Sequence, residues 1–411
     1  MKKFLTLDEL SAKDKIVLLR ADLNVPMQDG RVTDKTRIER LVPTLKELAD
    51  KGARIVILSH FGRPRGKDPA LSLLPISEPL SQAVGKPVGF AEDCTGLIAE
   101  KAIQKMKGGD ILLLENVRFY PEEEKDDPAF AAEIARLGDV YVNDAFSCAH
   151  RAHATTHGLA NLLPAYAGRL MEAELDALEK ALEIPQHPVT AIVGGAKIST
   201  KLDLLNNLVQ KIDVLILGGG MANTFLAAQE NPVGKSLCER EMKDQARAIM
   251  ATAQKHNCTI LLPVDAVVAQ EFRENPPTDI RSIDSIQDND MMLDIGPESV
   301  ALIETTLGKA RTILWNGPLG AFETTPFDRA TVQLAQVVAK LTQSGQVVSV
   351  AGGGDTVAAL AHAGVENQMT YVSTAGGAFL EWLEGKTLPG VQALHNRAKS
   401  LREQNAAVAV G

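Results

Sequence analysis

Several things are scarce in this sequence, and each scarcity removes a class of protein. Its four cysteines (Cys94, Cys148, Cys238, Cys258) are scattered with no CxxC pair. That excludes a disulfide framework and a regular zinc motif, and it fits free thiols in a reducing cytosol. No apolar run approaches the roughly 18 residues of a membrane span. The opening MKKFLTLDEL reaches Asp8 and Glu9 before an apolar segment can form, so it does not read as a signal peptide. Positive charge is in deficit: a net charge of −9 argues against a nucleic-acid surface. Nucleotide signatures are missing too. Gly234-Lys235-Ser236 looks like the end of a Walker A loop, but Gln229 stands where its first glycine is required. No convincing GxGxxG with a following acidic residue marks a dinucleotide site, and no HRD-type kinase loop occurs.

What is present is α/β patterning on the scale of two or three domains, as 411 residues imply. The stretch Val347–His362 (VVSVAGGGDTVAALAH) sets the pattern: a β-branched run, three glycines, then an Ala/Leu-rich helix opened by Asp355-Thr356. Glycines let backbone approach a ligand, and a helix start directs free N–H groups and positive dipole toward a phosphate. Asp355 has two readings from this stretch, a helix cap or a Mg²⁺ contact.

In the first half, strands are expected at Lys15–Arg20, Arg54–Leu58, Asp110–Leu114 and Asp139–Val142, with helical segments between them. This alternation predicts a parallel sheet covered by helices on both faces. Arg20, His60, Arg63, Arg118 and Arg151 fall just past successive strand ends, and Arg37 lies near the start of a helix that carries Leu41, Leu45 and Leu48. Those ends share one edge of an open parallel sheet, where ligands bind. Like charges gathered there repel unless an anion sits between them, so a small, strongly anionic ligand is expected. The run Cys148–His157 contains three histidines, but it lacks a second ligand cluster, and Arg151 would set a fixed charge beside a metal.

Gly168–Leu182 shows one apolar stripe (Met171, Leu175, Leu178, Leu182) and reads as a single helix, ended by Pro185-Gln186-His187-Pro188. The domain boundary is placed here. Beyond it, expected strands at Val189–Val193, Val214–Leu217, Thr259–Leu262, Met291–Ile295, Thr312–Leu314 and Val347–Val350 each lead into glycine or proline. One open sheet edge is therefore expected in the second half as well, with Lys197 and Lys201 one helical turn apart and able to reach the same phosphates.

Taken together, RADLNVP (Arg20–Pro26), SHFGRP (Ser59–Pro64), LENVRF (Leu114–Phe119), NDAFSCAHRAHAT (Asn143–Thr155), IVGGAKISTKL (Ile192–Leu202), GGGMANTF (Gly218–Phe225), LDIGPES (Leu293–Ser299), ILWNGPLGAFE (Ile313–Glu323), AGGGDT (Ala351–Thr356) and STAGGAFLE (Ser373–Glu381) make the chain resemble phosphoglycerate kinases over essentially its whole length. The resemblance implies two doubly wound, Rossmann-like parallel-sheet domains joined by a hinge helix. Residues 1–170 would bind 3-phosphoglycerate, completed by the tail 388–411; residues 171–187 would form the hinge; residues 188–387 would bind nucleotide. It further implies that Asp22 and Asn24 contact the hydroxyl and carboxyl end of 3-phosphoglycerate, with Arg37, His60, Arg63, Arg118 and Arg151 around its charges. Lys197 and Lys201 would take the phosphates of ATP or ADP, and Gly353, Gly354, Asp355 and Thr356 would line the phosphate loop. Asp355 would be the Mg²⁺ contact, Glu323 would reach the ribose, and Gly219, Gly296 and Pro318 would border adenine and sugar. Arg37, Lys197 and Lys201 would carry the catalysis, in a cytoplasmic monomer with neither nucleic-acid nor membrane partners. Two small departures, Phe61 for the more frequent Leu and Ala330 for the frequent Gly, fall outside the chemical positions.

The expected reaction is reversible phosphoryl transfer between ATP and a carboxylate, which is already ionised at neutral pH and needs no general base. Two rivals are an NAD-dependent two-domain dehydrogenase, which lacks its fingerprint here, and a catalytically silent nucleotide-responsive protein. The latter would be expected to have lost Lys201, Asp355 or Arg37.

Overall fold

A computed structural model describes residues 2–410. Its strands run β1 (Ile16–Ala21), the two-residue ribbon β2 (Met27–Gln28) and β3 (Arg31–Val32), β4 (Arg54–Leu58), β5 (Val88–Ala91), β6 (Ile111–Leu114), β7 (Val140–Asp144) and β8 (Ala165–Ala167). After the connecting helix come β9 (Val189–Val193), β10 (Val214–Leu217), β11 (Thr259–Leu261), β12 (Asp265–Ala269), β13 (Asp279–Ser282), β14 (Met291–Ile295), β15 (Thr312–Asn316), β16 (Val348–Gly352) and β17 (Tyr371–Ser373). Contacts divide the chain into two compact units. One holds the residues up to Leu175 together with those from Thr387 onward, and the other is Asp176–Lys386.

The first unit is built on a six-stranded sheet in the order β5-β6-β4-β1-β7-β8, every neighbouring pair parallel. The central strands are Val, Ile and Leu buried on both faces, as strands covered by helices on either side must be. Helix Thr36–Asp50 buries Ile38, Leu41, Leu45 and Leu48 against this sheet. Asp34 accepts bonds from the Thr36 backbone N–H (2.8 Å) and hydroxyl (2.6 Å) at its start. The closing helix Pro389–Val410 is tied to this unit by Arg397 Nε, which donates to the Leu163 carbonyl (3.0 Å), and by Arg402 Nη1, which donates to that of Lys2 (2.7 Å).

The second unit carries a six-stranded parallel sheet in the order β11-β10-β9-β15-β16-β17. Numbered by sequence within that sheet, the order is 3-2-1-4-5-6, a doubly wound arrangement whose direction reverses between β9 and β15. A separate three-stranded antiparallel sheet, β13-β12-β14, stands beside it.

Three expectations need correction. Met291–Ile295 is a strand, but it pairs with β12 in the antiparallel sheet, so Gly296 does not lie on the parallel sheet's edge. Arg20 is not past a strand end: it lies within β1, pairs across to Leu58 and Asn143, and is 1% exposed. The expected helix Gly168–Leu182 is α-helical over Arg169–Leu178 and continues as a wider π-type turn, Glu179–Glu183. Among the described residues no helix is long and apolar enough to cross a membrane.

Candidate active site

In the first unit, β1, β4, β6 and β7 deliver their following loops to one edge. Asp22 follows β1 and accepts from Arg37 Nη1 at 2.8 Å, from the Asn24 N–H through its other oxygen at 3.1 Å, and from the Ser147 hydroxyl. Arg37 also donates to the Asn24 carbonyl (2.9 Å), and the Asn24 side chain accepts from the Gly62 N–H (2.9 Å). Arg118 donates to the Gly62 carbonyl (2.8 Å). Asp22, Asn24, Arg37 and Arg118 thus belong to one bonded neighbourhood, and Asp22, His60 and Cys148 bring ligating atoms within 4.8 Å of one another. Arg63 and Arg151 are exposed on the same loops and make no ion pair among the described residues.

Behind this edge lies a buried bracket. Arg20 donates through Nε to the Thr155 hydroxyl (2.8 Å), which donates to Glu123 (2.5 Å), and the Thr155 N–H reaches the other Glu123 oxygen (2.9 Å). Arg20 Nη2 lies 3.1 Å from His60 Nδ1. A guanidinium cannot accept, so Nδ1 is the acceptor and His60 is the neutral Nε2–H tautomer. Burial, and then Arg20, hold its pKa well below the usual histidine value; the same causes bring His153 to about 4. The positive charge of this edge is therefore guanidinium charge. A cation among Asp22, His60 and Cys148 would face Arg20 and Arg37, and burial keeps the Cys148 thiol protonated, so the trio does not suit a metal.

In the second unit, the strand order reverses between β9 and β15. Lys201 Nζ sits there, donating to the Gly194 carbonyl (2.7 Å) after β9 and to Asn316 Oδ1 (2.6 Å) at the end of β15. Asn316 in turn donates to the Gly352 carbonyl (2.8 Å) at the end of β16. Gly353 has φ +98°, and a Cβ there would meet Asn316 Nδ2 at 2.7 Å, so glycine is required. The Thr356 hydroxyl accepts from the Gly317 N–H (2.7 Å), locking the first turn of helix Gly354–His362 to the β15 loop. Asp355 is exposed in that same turn. Burial lowers the Lys201 pKa to about 8, partly opposed by the charge of Asp355. Beside these groups a cleft is lined by Gly219, Ala222, Leu226, Met292, Asp294 and Leu319.

Comparison with known proteins decides the family. The family model described as phosphoglycerate kinase matches residues 7–386. The chain is 61% identical over 396 residues to a phosphoglycerate kinase of Methylorubrum extorquens, covering 96% of this chain and 99% of that one. It is 62% identical over 392 residues to that of Granulibacter bethesdensis, covering 95% and 99%. The phosphoglycerate kinase structure from Coxiella burnetii superposes with a TM-score of 0.91 at 44% identity, covering 96% of this chain and all of that one. The one from Pyrococcus horikoshii OT3 gives 0.76 at 29%, covering 96% and 99%.

The chain belongs to the phosphoglycerate kinase family. Its chemistry is phosphoryl transfer to a carboxyl group, and nothing in the comparisons favours a dehydrogenase. Phosphoglycerate kinase chemistry also makes sense of an edge with no base poised for proton removal. Around the positions expected to meet nucleotide the structure is uneven. Lys201 is half-buried in a bonded nest, whereas Lys197 is exposed on the other side of a 3₁₀ turn, Ile198–Thr200, rather than one α-helical turn away. Gly219 lines the cleft, with φ +66° and a Cβ position only 2.7 Å from the Gly195 carbonyl. Pro318 and Gly296 adjoin the lining residues Leu319 and Ile295 without lining the cleft themselves. A Cβ on Gly296 would strike the Asp265 carboxylate at 2.2 Å. Glu323 is exposed on the loop that follows β15.

Two buried asparagines were not singled out from sequence. Asn316 joins Lys201 to the glycine loop. Asn116, fully buried, accepts from the Phe61 N–H (3.2 Å) and the Arg118 N–H (3.1 Å) and donates to the carbonyls of Phe61 and Leu71. Each follows or ends a buried strand, a place where a side-chain amide can serve two chains at once.

Proposed function

We propose that the first unit binds 3-phosphoglycerate through Asp22, Asn24, Arg37, His60, Arg63, Arg118 and Arg151, and that the second binds MgATP or MgADP. In the second unit Lys197, Lys201 and Gly353–Thr356 would meet the phosphates, Gly219, Gly296 and Pro318 the base and sugar, and Glu323 the ribose. The observation that carries this reading is the Lys201 ammonium, held by Gly194 and Asn316 at the switch point of a 3-2-1-4-5-6 sheet.

In the forward chemistry a carboxylate oxygen attacks the γ-phosphorus, the bond from that phosphorus to the β–γ bridging oxygen breaks, and ADP leaves with the electron pair. Arg37 and Lys201 offset the charge spread over the transferring group, and the N–H groups opening helix Gly354–His362 donate to phosphate oxygens. His60, being neutral, donates from Nε2 and takes no proton. Asp355 fits a Mg²⁺ contact: it is exposed, makes no ion pair among the described residues, and is a single carboxylate of the kind Mg²⁺ takes alongside phosphate oxygens. When bound, Mg²⁺ would neutralise charge on the phosphates. Helix Arg169–Leu178, which runs from one unit into the other, is the proposed hinge. A cytoplasmic monomer is the proposed form.

Arg37→Ala tests the catalytic half of this reading. Coupled to a dehydrogenase that consumes 1,3-bisphosphoglycerate, kcat is expected to fall by roughly 100- to 1000-fold, with KM for MgATP little changed. An unchanged kcat removes Arg37 from the mechanism. Asp355→Asn is expected to weaken MgADP selectively, and an equal loss for metal-free ADP contradicts the metal role.

A further inference from the structure

The cleft beside Lys201 has one carboxyl in its wall, and the carboxyl's bonds lead around that wall. Asp294, 5% exposed, lies within β14 and makes no ion pair among the described residues. Its Oδ2 accepts from the Ala330 N–H (3.0 Å), in the first turn of helix Arg329–Gln343, and its Oδ1 accepts from the Ile295 N–H (2.9 Å). It also stands against Gly320, where a Cβ would lie 2.3 Å from Oδ1, so the loop after β15 passes this carboxyl only because it has no side chain there. One residue beyond Ala330 in the helix, the Thr331 hydroxyl accepts from the Leu319 N–H (3.1 Å). The Leu319 carbonyl then accepts from the Gly219 N–H (2.8 Å). Asp294, Leu319 and Gly219 all line the cleft, so the chain of bonds begins and ends on its surface.

We propose that Asp294 is a positioning residue for the nucleotide: through the Ala330 N–H and Gly320 it sets where Leu319 and Gly219 stand, and so fixes the wall against which the adenosine end of ATP rests. This rests on reading the cleft as the nucleotide site. The groups around Asp294 explain why a carboxyl rather than a salt bridge does this. Asp328 is the nearby charge, and it is engaged with His362 Nε2 at 2.9 Å; Asp265 on the neighbouring strand is occupied by Ser299 and the Glu298 N–H. With no counter-charge, burial pushes Asp294 up to about 8, opposed by the two backbone N–H groups that its two oxygens accept from.

Asp294→Asn keeps the shape but offers one acceptor oxygen instead of two, so one backbone N–H is left unpaired. The expected result is a rise of about five- to tenfold in KM for ATP, with kcat and KM for 3-phosphoglycerate within about twofold. Thr331→Val breaks the next bond in the chain without touching the carboxyl. It is expected to move KM for ATP in the same direction, and it carries the test if the Asp294 variant does not fold. Unchanged KM for ATP in folded Asp294→Asn and Thr331→Val, or equal rises for both substrates, would overturn the proposal. Photolabelling the unaltered enzyme with 2-azido-ATP examines the site reading separately. Label within residues 217–226, 291–295 or 317–321 supports the cleft as the nucleotide site, whereas label elsewhere removes that reading whatever the variants do.

Discussion

In the proposed reading, the two units solve the same electrostatic problem with different materials. The first gathers permanent charge: Arg37, Arg63, Arg118 and Arg151 at the edge, with Arg20 braced beneath them by Thr155 and Glu123. The second uses less, with peptide N–H groups, glycines that admit close approach, the Lys201 ammonium nested among carbonyl and amide oxygens, and Lys197 exposed beside it. A small ligand with charge at both ends is best held by guanidinium forks, which fix direction as well as sign. A nucleotide, in this reading, brings its own Mg²⁺ and a large base, so its site needs space and backbone more than further charge.

Exchanging the two kinds of cation tests this contrast most severely. Arg37→Lys keeps the charge but loses the planar guanidinium whose Nη1 reaches both Asp22 and the Asn24 carbonyl, and a drop of about 100-fold in kcat is expected. Lys201→Arg keeps the charge but cannot enter a nest closed by Gly194 and Asn316, and a similar drop is expected with KM for MgATP also raised. If both conservative exchanges retain activity, the units differ in sequence only and not in how they use charge. A smaller effect is expected from Glu123→Gln, which keeps only one of the two bonds from Thr155 and takes a negative charge from beside buried Arg20. Removing the carboxylate from such a buried arrangement is expected to lower stability by about 3 kcal/mol, read from the urea midpoint at unchanged m-value. Stability equal to the parent would show that Thr155 and the Ala21 carbonyl suffice to hold Arg20.

The same contrast explains what was legible in the sequence. Strand ends followed by His60, Asp22 or Gly194 were visible because a buried apolar run stops abruptly at a polar or glycine residue. Arg20 was placed at such an end, but its burial depends on Glu123 and Thr155, more than a hundred residues away. No local pattern encodes that partnership. β5 (VGFA) and β8 (AYA) are three or four residues long, too short to show a period, and went unread. The antiparallel sheet was missed for a related reason. Met291–Ile295 looks like any half-buried strand, and only its pairing with Asp265–Ala269, which no expected strand covers, reveals the direction. Asn316 and Asn116 were invisible as bonding hubs because an amide's usefulness lies in which loops reach it.

The last and smallest effect concerns pH. At the edge of the first unit burial and Arg20 hold His60 well below the usual histidine value and His153 at about 4, so neither histidine changes charge between pH 7 and 9. In the second unit Lys201 titrates near 8, and Asp294 does too. Raising the pH removes a positive charge from one and adds a negative charge to the other, and both changes oppose a polyphosphate. The free enzyme's groups govern kcat/KM, so kcat/KM for MgATP is expected to fall about fourfold between pH 7 and 8.5, while that for 3-phosphoglycerate at saturating MgATP stays level. Stability separates the two groups, because their linkage signs differ. Asp294 is raised above its unfolded value, so unfolding releases its proton between about 4 and 8, and it makes stability decline as pH rises through that window. Lys201 is lowered below 10.5, so unfolding takes up a proton above about 8, and it makes stability recover over that range. Asp294→Asn is expected to flatten the first slope and leave the second. A variant that flattened both would show that the two groups titrate as one coupled pair, and a level kcat/KM for MgATP would place Lys201's charge outside nucleotide capture.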